Sequence, residues 1–78
     1  MNINGKKILV TGGGGFLGRA VVKGCLEGKN IVTSFSRNFH RGLKPLGVTQ
    51  IKGDISDFSA LKQVCRGIDL LFHIAAKP

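Results

Sequence analysis

Three glycines carry the most specific chemistry in the sequence, the cradling of a phosphate. Thr11-Gly12-Gly13-Gly14-Gly15-Phe16-Leu17-Gly18 follows the apolar run Ile8-Leu9-Val10 and opens a segment of helical periodicity. A strand, a glycine turn and a helix start in succession form an anion site. The first helical N–H groups lack partners, and the positive end of the helix dipole faces the turn. Gly12, Gly15 and Gly18 are spaced G-x-x-G-x-x-G, and Gly13 also permits a G-x-G-x-x-G register ending at Gly18. Without a Cβ, such residues let the chain turn sharply and let a pyrophosphate approach the backbone. The combination predicts the start of a dinucleotide-binding βαβ unit.

A second set of residues bears on which dinucleotide. In such units an acidic residue about 20 positions beyond the glycines binds the ribose 2′-hydroxyl. Here that place falls on Ser36-Arg37, and no Asp or Glu lies between Glu27 and Asp54. A carboxylate would repel a 2′-phosphate, whereas a hydroxyl and a guanidinium bind one, the latter through two parallel charge-assisted hydrogen bonds. NADP(H) is therefore expected, with NAD(H) as the alternative and Arg41 or Lys44 as further phosphate partners. Read otherwise, Arg37 is a solvated surface charge. Asp54 stands at the end of the third predicted strand, the edge at which parallel sheets bind ligands; a capping role is its other reading.

These residues need elements to hold them. Residues 6–10 form the first predicted strand, whose continuous apolar centre suits a parallel strand covered on both faces. From Phe16, Leu17, Val21 and Cys25 recur at helical spacing beside Val22 and Leu26. Gly28 is the expected left-handed cap of that helix. Residues 30–35 and 48–51 are the second and third strands, separated by a polar, basic stretch with room for one short helical turn. Asp57 N-caps a second helix bearing Phe58, Leu61, Val64 and Cys65 on one face, ended by Gly67. Residues 70–74 are the fourth strand. Right-handed crossovers then give an α/β fold, the N-terminal half of a doubly wound Rossmann fold with a parallel sheet of order 3-2-1-4. One helix is expected on each face, with the fourth strand as an uncovered apolar edge. Such an edge invites self-association.

The run T-G-G-x-G-F-L-G, Gly53-Asp54-Ile55 after the third strand, and Leu71-Phe72-His73-Ile74-Ala75-Ala76 together resemble the extended short-chain dehydrogenase/reductase family. Within it, the closest likeness is to 3β-hydroxysteroid dehydrogenase-like and NAD-dependent epimerase/dehydratase members, and it covers essentially the whole chain. The resemblance implies that Gly12, Gly15, Phe16, Leu17 and Gly18 belong to the nucleotide loop. It further implies that Asp54, beside Ile55, contacts the adenine amino group, and that Ala75 and Ala76 form a wall for the ribose and nicotinamide. The activity implied is oxidation or reduction of a hydroxyl or keto group on a sterol-like or long-chain oxoacid substrate. A sugar-nucleotide epimerase or dehydratase and a non-catalytic dinucleotide-binding module are the alternatives. The family's chemistry uses a Tyr-x-x-x-Lys pair, and this sequence has no tyrosine, so no catalytic residue is named. Residues 1–78 are accordingly expected to be the cofactor-binding part of a larger protein.

Composition narrows the remaining classes. The chain has 78 residues with 12 Lys and Arg against four Asp and Glu, a net charge of +8. Such charge raises nucleic acid as a partner, but the basic residues are scattered and the only aromatics are phenylalanines in apolar contexts. No nucleic-acid role is expected. Two cysteines, Cys25 and Cys65, fall on apolar helix faces and are expected as buried free thiols. His40 and His73 lack metal-ligand spacing with them. His40 is expected at the surface, and His73, inside an apolar strand, as a hydrogen-bonded structural residue. With no apolar run of spanning length and no targeting pattern at residues 1–4, a cytoplasmic protein is expected.

Overall fold

A computed structural model of the chain describes residues 3–12 and 16–74. Four parallel strands form one sheet in the order β3-β2-β1-β4, with β1 Lys7–Thr11, β2 Ile31–Ser36, β3 Thr49–Lys52 and β4 Leu70–His73. Helix α1 Phe16–Glu27 joins β1 to β2, a 3-10 helix Arg41–Leu46 lies between β2 and β3, and α2 Phe58–Val64 leads to β4. The predicted α/β topology and strand order hold. Strand boundaries shift by a residue, for a traceable reason at the first two. The Lys6 N–H goes to the Asn30 side chain at 2.8 Å, outside the ladder, and the Lys6 carbonyl receives Ile31 N–H at 2.9 Å.

The core lies between the sheet and α1. Ile8, Val10 and Val32 on alternate strand positions meet Val22 and Cys25 of the helix, with Leu43 and Val48 closing one side. The buried stripe of α1 is Gly18, Val22 and Cys25. Leu17, expected on that stripe, is instead 62% exposed, the buried position of the first turn being Gly18. Burial pushes the Cys25 thiol above the ordinary thiol range. Cys65, also expected to be buried, is only half-buried.

The second face is covered more thinly than expected. It carries Leu9 and Phe35, both buried, but also Ile31 and Leu71, 62% and 50% exposed. Helix α2 buries no residue and Phe58 is 75% exposed. A helix of seven residues spans only about two turns, too short to roof four strands. Asp57 caps it as predicted, its carboxylate accepting the Ala60 N–H at 3.1 Å, and Gly67 turns the chain at φ 72°.

The end of α1 differs from expectation. Gly28 does not adopt a left-handed conformation; Lys29 does, at φ 58°. Gly28 is required for space, because a Cβ there would meet the Ile3 carbonyl oxygen and lie 2.8 Å from Asn30 Nδ2. His40, expected at the surface, is half-buried, its backbone paired twice with the Gln50 side chain at 2.9 and 3.0 Å.

One core position is imperfect. Ser34 is 1% exposed, and its hydroxyl has no partner among the described residues. Ser34→Ala removes that unpaired group, so it is expected to leave stability unchanged or raise it by up to about 1 kcal/mol, read as an equal or higher thermal midpoint. A lower midpoint would show that the hydroxyl is satisfied. Among the described residues no helix is long and apolar enough to cross a membrane, and no three His, Cys, Asp or Glu side chains gather as a metal set.

Candidate functional site

The C-terminal ends of all four strands open into one cavity of about 320 Å³, lined by residues from each of them. This edge is where open parallel sheets bind ligands, because the loops there diverge to opposite faces. The order along it follows the sheet, with Gly53, Asp54 and Ile55 after β3, then Ser36 and Arg37 at β2, Thr11 and Gly12 at β1, and His73 and Ile74 at β4.

Gly12 forms the centre. Its φ is 77°, and a Cβ there would meet the carbonyl oxygen of Ile74. The turn thus requires glycine twice, once for its backbone angle and once for its close approach to β4. The ends of β1 and β4 are stitched beside it. Ile74 N–H donates to the Thr11 carbonyl at 3.0 Å, and Thr11 Oγ1 lies 2.6 Å from His73 Nδ1. Beyond the turn, Gly18 is buried on α1, while Phe16 and Leu17 are 89% and 62% exposed at the helix start. Neither of these two lines the cavity. Gly15, Ala75 and Ala76 lie outside the described residues.

At the other end of the cavity, the β2–β3 ladder runs one step past the strands. Gly53 N–H donates to the Ser36 carbonyl at 2.9 Å. A Cβ on Gly53 would lie 2.5 Å from Cε1 and Cζ of Phe35, so the ring packs directly beneath it. That contact brings Asp54 beside Arg37, with Oδ2 3.9 Å from Nε. The ion pair is open to solvent and worth little by itself. Asp54 Oδ1 accepts the Ser56 backbone N–H at 2.9 Å and its hydroxyl at 2.8 Å. These two bonds, with Arg37 adding less, hold the Asp54 carboxyl below its ordinary range. Ser36 Oγ donates to the Asn38 carbonyl at 2.9 Å, bending the chain so that Arg37 stands at the cavity mouth. Arg41 and Lys44 are exposed on the 3-10 helix and do not line it.

Sequence reasoning therefore located Gly12, Ser36, Arg37, Asp54 and Ile55 at one cavity. Phe35, Gly53 and Ile74 were missed as lining residues; His73 is the hydrogen-bonded strand residue expected, and it also lines the cavity. The signal for His73 was available, since Thr11 and His73 end strands that the predicted sheet order makes neighbours.

The arrangement offers a glycine turn for phosphate, an arginine with no acid at the end of β2, and an anchored carboxylate. A family model described as the 3-beta hydroxysteroid dehydrogenase/isomerase family matches residues 9–77. The chain is 46% identical over 71 residues to a 2-alkyl-3-oxoalkanoate reductase of Stenotrophomonas maltophilia, covering 91% of this chain and 22% of that protein. Among solved structures, Pen of Bacillus thuringiensis superposes with a TM-score of 0.85 at 28% identity, over 99% of this chain and 27% of the other. WbmG of Bordetella bronchiseptica, solved in complex with NAD, shares the fold at a TM-score of 0.80 and 23% identity, over 96% of this chain and 26% of its own. The chain spans about a fifth of the length of the curated relatives it matches.

Proposed function

The chain belongs to the 3-beta hydroxysteroid dehydrogenase/isomerase family, and on that premise we propose that it is the dinucleotide-binding portion of a longer, NADP(H)-dependent oxidoreductase. The carrying observation is the cavity itself, with the Gly12 turn at its centre and Arg37, unaccompanied by any acid of β2, at its mouth. A dinucleotide fits these residues. Gly12 makes the tight turn beside Ile74 that a side chain would block, and Gly15 and Gly18 continue the same phosphate-binding spacing. Phe16 and Leu17 begin the helix whose N–H groups face the pyrophosphate. Asp54 and Ile55 bound the adenine side, and Ser36 and Arg37 take the 2′-phosphate; the family resemblance alone supports Ala75 and Ala76 as the wall for the ribose and nicotinamide. When bound, NADP(H) supplies or accepts the hydride of the reaction.

The substrate proposed for the whole protein carries a hydroxyl or keto group on a sterol-like or long-chain oxoacid skeleton. The oxoalkanoate reductase relative and the family's description support this class. The proton-transferring residues would be supplied by the rest of that protein, since this chain has no tyrosine. The NAD complex of WbmG favours NAD as the second reading; the basic end of β2 favours NADP.

Titration of the chain with NADPH and NADH separates the two. NADPH is expected to bind more tightly. Arg37→Ala is expected to weaken NADPH by about tenfold to a hundredfold, the range for a hydrogen-bonded charge, and to change NADH less than twofold. Tighter binding of NADH by the unaltered chain would remove the NADP assignment.

A further inference from the structure

Thr11 and His73 are 62 residues apart in sequence yet face each other in register across the β1–β4 pair, with Oγ1 2.6 Å from Nδ1. Thr11 is only 2% exposed, so the proton of its hydroxyl needs an acceptor inside the protein. If His73 carried its proton on Nδ1, the hydroxyl would have to accept, and among the described residues its own proton would have no other side chain to go to. A hydroxyl that donates to an unprotonated Nδ1 satisfies both groups. The proton of the ring then sits on Nε2. The His73 ring is exposed and lines the cavity, so it can offer that N–H to a ligand.

Its place along the sheet edge indicates which part of a ligand it meets. Asp54 and Arg37 stand at the β3–β2 end, Gly12 at the middle and His73 at β4, the opposite edge. With adenine at the first and pyrophosphate at the second, the third position is the nicotinamide half. We infer that His73 is a ligand-binding residue whose Nε2–H, set by the Thr11–His73 bond across β1 and β4, donates to an oxygen of the nicotinamide-side phosphate or ribose. Thr11 is the positioning residue. This rests on the dinucleotide reading above, and is independent of the choice between NADP and NAD.

The test combines ¹⁵N-histidine NMR with titrations of NADH, NADPH and 5′-AMP, which lacks the nicotinamide half. In the free chain His73 is expected as the Nε2–H tautomer, and Thr11→Val is expected to release it to a mixture. NADH is expected to move the Nε2 resonance, whereas 5′-AMP leaves it in place. His73→Phe is expected to weaken NADH and NADPH alike, by about fivefold to tenfold for a neutral hydrogen bond, with 5′-AMP affinity unchanged. An Nδ1–H tautomer, an Nε2 resonance silent to NADH, or an equal loss of 5′-AMP overturns the inference while leaving the dinucleotide reading standing. If neither NADH nor NADPH binds the unaltered chain, the dinucleotide reading falls and the inference with it. Should His73→Phe fail to fold, the NMR of the unaltered chain decides.

Discussion

Gly12→Ala is expected to cost about 3 kcal/mol of stability and to abolish measurable binding of NADH and NADPH. Two effects add. A residue with a Cβ at φ 77° is strained by about 1–2 kcal/mol. The new methyl also meets the Ile74 carbonyl oxygen, a backbone atom that no side-chain rotation can move, so the ends of β1 and β4 must separate. That separation breaks the Ile74–Thr11 backbone bond and the Thr11–His73 contact together. Gly47→Ala provides the comparison, since Gly47 has φ 75° but a methyl added there would have nothing within 4 Å. It is expected to show the conformational strain alone and to bind dinucleotide normally. Urea denaturation and NADPH titration of both variants check this; a Gly12→Ala chain as stable as Gly47→Ala would mean that the close approach to Ile74 is dispensable.

Asn30→Ala is expected to destabilise the chain by a similar amount, about 3 kcal/mol, without touching the cavity. Asn30 is 7% exposed and makes three hydrogen bonds. Its Oδ1 accepts the Lys6 N–H at 2.8 Å, and its Nδ2 donates to the carbonyls of Ile3 at 2.9 Å and Cys25 at 2.7 Å. One side chain thus ties the residues before β1 to the end of α1 and the start of β2. Removing it leaves backbone groups without partners, each at about 1–3 kcal/mol where water cannot replace the bond. For a domain of this size the loss corresponds to a fall of roughly 12–24 °C in thermal midpoint. Asn30→Asp should be worse than alanine, because a carboxylate would face two carbonyl oxygens. A fall below about 4 °C for Asn30→Ala would show that the three bonds do not act together.

Neither node was visible as such in the sequence. Gly28 looked like a left-handed cap, since glycine after a helix usually is one; the residue with positive φ is Lys29, and Gly28 makes room for Ile3 and Asn30. Asn30 read as the first residue of a strand, and its role depends on residues on both sides of it in space. Leu17 and Cys65 were misjudged because periodicity specifies a face only to within a neighbouring residue, and cannot tell how far a short helix covers a sheet.

What the sequence determined alone were properties carried by neighbouring residues. Continuous apolar runs, the glycine turn, the Asp57 cap and the handedness of the crossovers settled four parallel strands in the order 3-2-1-4. Those features also put Gly12, Ser36, Arg37 and Asp54 at the same sheet edge, because each ends a parallel strand. Only the tertiary structure decided how the strand ends meet. The Thr11–His73 bond, the ring of Phe35 under Gly53, and the Arg37–Asp54 pairing join residues between 17 and 62 positions apart. Such contacts depend on strand register and on backbone approach to within a few tenths of an ångström, quantities that no local pattern encodes.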